Sequence, residues 1–291
     1  MSAWVALASV ALASAACGTT VGTVPAHRAP PSASATARVT ASRSAAAGAA
    51  TRAFRREITG SAAAFVAAID NLQTAVTSGD TAGGRRDEVT AQCLYDRFRL
   101  VESENTVNAS TLDERRADVA PGSSFAGLHA VERDLWSSGD AGADLPGLAA
   151  QATVAEYLLS KTALDPEAIG TTAVDELSWV ADVAIPGREE QYSHLDAIDI
   201  VATVGAAHDA FVVLEPLAEV VAPTLTVSTA DQFAALDREV TALGPPAQVP
   251  DSSISWAVRL ALSQRVDATA AGLAQVAARL APFGTAGRSS S

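Results

Sequence analysis

The sequence predicts an all-α protein whose helices pack as antiparallel bundles. Three observations lead there. Apolar residues recur at helical spacing along most of the chain. Gly and Pro divide it into segments of roughly 15 to 25 residues with short connections, the pattern of antiparallel helical neighbours. No stretch alternates Val, Ile or Thr with polar residues between tight-turn signals, as a strand would.

The chain opens with an apolar run (Trp4, Val5, Leu7, Val10, Leu12) ending in Ala13-Ser14-Ala15-Ala16-Cys17. An apolar stretch followed by small residues marks a secretory signal. It is shorter than the ~20 residues of a membrane span. A cysteine directly after the small residues predicts a lipoprotein signal over residues 1–17, with Cys17 acylated; ordinary secretory cleavage is the alternative. Residues 18–51 are rich in Ala, Ser, Thr and Pro and hold no acid. They carry too little apolar mass to offset their ordering entropy, which predicts a flexible tether.

Folded structure is expected from Arg52. A first amphipathic helix is predicted over 53–78 (Phe54, Ile58, Phe65, Ile69, Leu72, Val76) and a second over 84–103 (Val89, Leu94, Phe98, Val101). Pro121-Gly122 breaks the chain before Gly127-Leu128-His129-Ala130-Val131-Glu132-Arg133-Asp134-Leu135-Trp136. Further helices are predicted over 144–162, from Asp165-Pro166 as cap and first residue, over 172–184, and over 194–221, with Pro216 a kink or stop. The last two are expected over 229–243 and 252–280, and 285–291 is expected to be a disordered tail. Trp136, Trp179 and Trp256 read as core.

Charge and cysteine usage narrow the function. All 33 acids lie from Glu57 onward, while Arg28, Arg38 and Arg43 precede Arg52, leaving 17 of the 20 bases against them. Such a balance disfavours nucleic acid and favours cations. With Cys17 lipidated, Cys93 stands alone as a buried helical thiol, and an exported chain then has no disulfide framework. No Gly-rich phosphate loop, Gly-x-Ser-x-Gly or His-Glu-x-x-His occurs.

His129 and Glu132 lie three apart, so on a helix they share one face. Imidazole plus carboxylate suits iron, zinc or copper, and helical carboxylate sites use this spacing; a surface histidine beside a solvated glutamate is the plain alternative. His194, beside Tyr192 and Asp196, reads as a structural histidine at a helix start. His208 has no evident partner and reads as structural, and Glu190 as a solvated loop acid.

The stretch Gly127–Glu132, followed by Asp134-Leu135-Trp136, resembles the GxHxxE motif of imelysin-like proteins, and within them the EfeO/EfeM type of bacterial iron uptake. Tyr95-Asp96-Arg97-Phe98, Leu112-Asp113-Glu114-Arg115 and the segment from Gly187-Arg188-Glu189-Glu190 through Tyr192-Ser193-His194-Leu195-Asp196 resemble three further segments of that family, in the same order. The resemblance covers about Phe54 to Phe283 and is to a short form without the cupredoxin domain.

The resemblance implies two antiparallel four-helix bundles, residues 52–163 and 164–284. It implies a metal site of His129, Glu132, Asp113 and Glu189, with iron, ferric or ferrous, as the ion and zinc or copper as substitutes. One departure stands out: where the family's second helix has two Glu, this chain has Arg99 and Ser103. Glu102 is the nearest stand-in, as a fifth ligand, and Arg99 could pair with Asp113 or Glu189 in place of a cation. The implied partners are an EfeU-type iron permease, a haem peroxidase of the same system, and the membrane through Cys17, on the outer face of the cytoplasmic membrane. The competing expectations are a metal-free scaffold or surface interaction module with a degenerate site, and, less favoured, a metallopeptidase. The protein is expected not to be an enzyme, since no His-Glu-x-x-His helix supplies a zinc with an open position and a base.

Overall fold

The structure, a computed structural model, describes residues 33–102, 112–137 and 141–283. The signal segment with Cys17, and the tail over 285–291, lie outside the described residues. Eight α-helices occur among those described: α1 (Ala33–Thr77), α2 (Thr81–Glu102), α3 (Leu128–Ser137), α4 (Leu145–Lys161), α5 (Pro166–Trp179), α6 (Ala197–Val221), α7 (Pro223–Thr241) and α8 (Trp256–Leu280). No strand occurs among the described residues, and the all-α class predicted from the sequence is the one found.

Helix α1 packs on α2 and α4, and α2 on α3; α5 packs on α6 and α8, and α7 on both of those. Helix α6 also lies against α1 and α2, so a single apolar core runs from Phe54, Phe65 and Tyr95 through Phe211 and Leu214 to Phe233. Phe65, Tyr95 and Phe98 form a tilted and edge-on trio with ring centroids 5.3 to 5.8 Å apart. That geometry adds about 0.5–1.5 kcal/mol per pair beyond area burial. Helices α5 and α8 touch backbone-close at Gly170, where a Cβ would meet the Cβ of Ala277 at 2.7 Å.

Several sequence expectations need correction. Residues 33–51, expected as part of the flexible tether, are helical, and Ala47 and Ala50 are buried. Alanine is the strongest helix former, no proline interrupts between Pro31 and Phe54, and small side chains let helices approach closely. Pro216 does not end α6, which runs on to Val221; the break comes at Ala222 (φ −150°, ψ 57°), and Pro223 opens α7 before the predicted start at 229. Trp256 is 76 % exposed rather than core, because it occupies the first turn of α8.

Two local signals read as predicted. Asp165 caps α5 by accepting from the Ala168 N–H at 2.9 Å, with Pro166 first in the helix. Cys93 is largely buried, and burial, with the nearby acids, pushes its thiol up to about 12.

Candidate metal centre

Gly127 has φ 88°, a left-handed conformation that glycine adopts without strain, and it turns the chain into α3. The Val131 N–H reaches back to the Gly127 carbonyl at 3.3 Å. His129 and Glu132 therefore stand one turn apart on a helix buried on both residues, 2 % and 0 % exposed.

Opposite α3, helix α5 widens into a π-helical turn, Val180–Ala184, then reverses at Pro186-Gly187 and returns as the loop carrying Glu189 and Glu190. Two backbone donors fasten this loop to α3: Tyr192 and Ser193 N–H donate to Glu132 Oε1 at 2.9 and 2.6 Å. Asp196, at the start of α6, accepts from the Glu189 N–H at 2.9 Å. His194 takes a positive φ of 58°, and its carbonyl accepts from the Asp251 N–H. Its side chain is exposed and makes no cap, so the structural role lies in the backbone turn.

His129 is central. Its Nδ1 is 3.2 Å from Glu132 Oε2, and its Nε2 is 3.4 Å from both Asp113 Oδ1 and Glu189 Oε1. Asp113, His129 and Glu189 offer ligand atoms all within 4.8 Å of one another, and so do His129, Glu132 and Glu190. Four residues picked from the sequence (Asp113, His129, Glu132 and Glu189) are thus brought together. Glu102 ends α2, and its side chain lies outside those described; Cys17 is likewise outside.

Arg99 is 8 % exposed and sits within this cluster. Its guanidinium lies 2.8 Å from Glu176 Oε2, 3.4 Å from Asp113 Oδ2, 3.8 Å from Glu189 Oε1 and 4.0 Å from Asp96 Oδ1. It stacks 3.3 Å over the Trp179 ring. The sequence named Asp113 and Glu189 as its partners but not Glu176, the closest. Arg115 Nη1 reaches Glu189 Oε2 at 3.6 Å from a surface cleft lined by Gly187, Arg188 and Gln191.

Burial and pairing divide the acids. Burial opposes ionisation of Asp113 and Glu132, yet both are held below their usual range, Asp113 by His129 and Arg99, Glu132 by His129 and the Ser193 and Tyr192 N–H groups. Burial works against a charged His129 as well, but Asp113, Glu132 and Glu189 outweigh it and raise the imidazole well above its ordinary value. Burial raises Glu189, and raises Glu88, Glu190 and Asp199 well above the carboxylate range. It pushes Asp96 and Asp196 up to about 8.

Sequence reasoning missed two acids and misjudged one partner. Glu190, read as a solvated loop acid, is 2 % exposed because the loop folds inward onto α3. Glu88, 1 % exposed, was not singled out. Its signal was Glu88, Gln92 and Asp96 at i, i+4 and i+8, a polar line on one face of α2. His208 has a partner after all, Asp237 Oδ2 at 2.9 Å, and its ring stacks on Phe233.

No family profile matches the chain. Over 137 residues it is 28 % identical to the iron uptake system component EfeM of Bacillus subtilis (strain 168). The match covers 44 % of this chain and 34 % of that protein, so the chain spans about a third of the relative's length. The similarity is to an EfeM protein; the wider imelysin-like resemblance has no matching profile beside it.

Proposed function

We propose that this protein is an exported iron-binding component of a bacterial iron-uptake system, carrying iron as cargo and passing it to a membrane permease. The observation behind this reading is the convergence of half-buried Asp113 with buried Glu189 and His129 Nε2, in a chain similar to an iron uptake component. Two carboxylates and an imidazole suit iron, with zinc and copper as competitors. Glu132 orients the ring through Nδ1, the part carboxylates play behind ligating histidines. Binding needs the neutral ring, so loading releases a proton from His129.

The haem peroxidase partner, the anchor at Cys17 and the outer-face location belong to the same proposal. A peptidase reading is weaker, because His129 and Glu189, each 2 % exposed, give a peptide no access to an open coordination position. Arg99 favours a second reading, a metal-free scaffold in which the guanidinium serves as the built-in counter-cation.

The test is anaerobic titration of ferrous iron into the purified chain, with bound metal counted after desalting. Wild type is expected to retain iron, and Asp113→Asn and Glu189→Gln to lose affinity by at least tenfold. Wild type retaining no iron, zinc or copper at micromolar concentration would leave the scaffold reading.

A further inference from the structure

We propose that the protein holds a second cation, on the Nδ1 side of His129, between the buried carboxylates of Glu132 and Glu190, with buried Glu88 as a further ligand. It rests on the metal-binding reading above insofar as the two positions share His129, but none of the residues that resemblance implies includes Glu88 or Glu190.

The site draws on three chain segments. Glu88 comes from α2, Glu132 from α3 and Glu190 from the loop before α6. Ligand atoms of His129, Glu132 and Glu190 lie within 4.8 Å of one another. Glu88 lies near enough for the charges of Glu132 and His129 to act on it, and its charge acts in turn on Glu190.

Glu88 supplies the independent observation. It is 1 % exposed, and neither of its carboxylate oxygens has a hydrogen-bond partner. Buried polar atoms in folded proteins are nearly always satisfied, and an orphan asks for an explanation such as an ion. Glu190 Oε1 meets no N–H or O–H donor either, and its carboxyl lies within hydrogen-bonding reach of Glu132. Asp113 and Glu189 have Arg99 and Arg115 beside them, whereas no Arg or Lys among the described residues pairs with Glu88 or Glu190. A proton on a carboxyl covers one oxygen and leaves the other bare. A cation draws one oxygen from each group.

The other halves of these carboxylates are already fastened. Glu132 Oε1 is held by the Tyr192 and Ser193 N–H groups, leaving Oε2 toward His129. Glu190 Oε2 accepts from Ser193 Oγ at 2.9 Å, leaving Oε1 free. Glu190 thus has one oxygen anchored and one presented, the arrangement outer contacts impose on metal-ligating carboxylates, while Glu132 Oε2 is shared with His129 Nδ1. Carboxylates with at most one imidazole nitrogen suit a divalent cation such as manganese or ferrous iron, with water completing its shell.

The experiment counts ferrous iron bound to the full chain by anaerobic equilibrium dialysis at pH 7.5. Two equivalents are expected for wild type. Glu88→Gln/Glu190→Gln should retain one, and Asp113→Asn/Glu189→Gln should retain the other. If wild type binds one equivalent that Asp113→Asn/Glu189→Gln abolishes and Glu88→Gln/Glu190→Gln leaves intact, the second position is overturned and the first stands. Wild type binding none overturns both. Circular dichroism and size exclusion in chelator check that each variant stays folded, which separates lost binding from lost fold; Asp113→Asn/Glu189→Gln, which breaks pairs with Arg99 and His129, should melt lower while remaining folded. Glu88→Asp, with the carboxylate withdrawn by one methylene, should keep two equivalents and weaken one of them at least tenfold; unchanged affinity there also counts against the site.

Discussion

Replacing Arg99 by methionine removes the guanidinium while keeping its length. In the metal-free protein this leaves Glu176, Asp113, Glu189 and Asp96 facing one another without the charge that now lies 2.8 to 4.0 Å from them. Breaking a buried pair by removing one partner costs about 3–5 kcal/mol. At about 2–4 °C per kcal/mol for a chain of this size, Arg99→Met should melt about 6–20 °C lower in chelator. Metal affinity should move the other way. Two unit charges about 6 Å apart at an effective dielectric of 20 repel by about 3 kcal/mol, so losing the guanidinium should tighten ferrous iron binding at least tenfold. Scanning fluorimetry with chelator and with iron reads both effects, and saturating iron should return most of the lost melting temperature. Adding Glu176→Gln to Arg99→Met should recover part of the loss without metal, since it deletes the closest stranded carboxylate. An Arg99→Met protein that melts with wild type in chelator and binds iron no tighter would refute the view of Arg99 as the internal counter-cation.

Other outcomes follow from the same geometry. In chelator the melting temperature should fall as pH rises from 5.5 to 8.5. The unfolded chain releases its acid protons near pH 4, whereas folded Asp96 and Asp196 keep theirs to about 8 and Glu88, Glu190 and Asp199 are raised well above. His129, also raised, loses its stabilising charge over the same rise, and a melting temperature that climbs instead would mean these acids are hydrated and ionised. His129→Ala should abolish most iron binding, while His208→Phe should keep it and lose only the exposed Asp237 pair, at most about 1 kcal/mol; comparable iron loss in both would detach binding from the cluster. Gly170→Ala should lower stability by about 1–3 kcal/mol by denaturant titration, because its Cβ would overlap the Ala277 Cβ. Cys17→Ser should release the protein from membranes in a fractionation assay, and continued membrane partitioning after cleavage at Ala16 would remove the lipid anchor.

Helical periodicity and the Asp165-Pro166 cap made much of the fold legible, since both are local signals. The start of α1 was misjudged because a tract of small residues was weighed by apolar mass, whereas Ala47 and Ala50 contribute by allowing close approach. At the site, Asp113, His129, Glu132 and Glu189 were legible from motif order. Glu190 was not, because its burial depends on Glu132 capturing the N–H groups of Tyr192 and Ser193, 60 and 61 residues away in sequence. Glu176 was hidden for the same reason: it meets Arg99 across 77 residues. Long-range pairing leaves no periodicity to read.

The cage around His129 is assembled from α3, the segment at Asp113 and the loop at Glu189, which lie apart in sequence. Contacts of such sequence separation form late, after loop-closure entropy has been overcome. Until the loop at Glu189 closes on α3, the chain does not offer a nitrogen and both carboxylates together to a passing ion. On the proposed metal-binding reading, the compartment in which folding finishes would select the cargo, through whichever metals are present at that moment. For an exported chain, that moves metal choice out of the cell interior, where copper and zinc would otherwise compete on affinity alone.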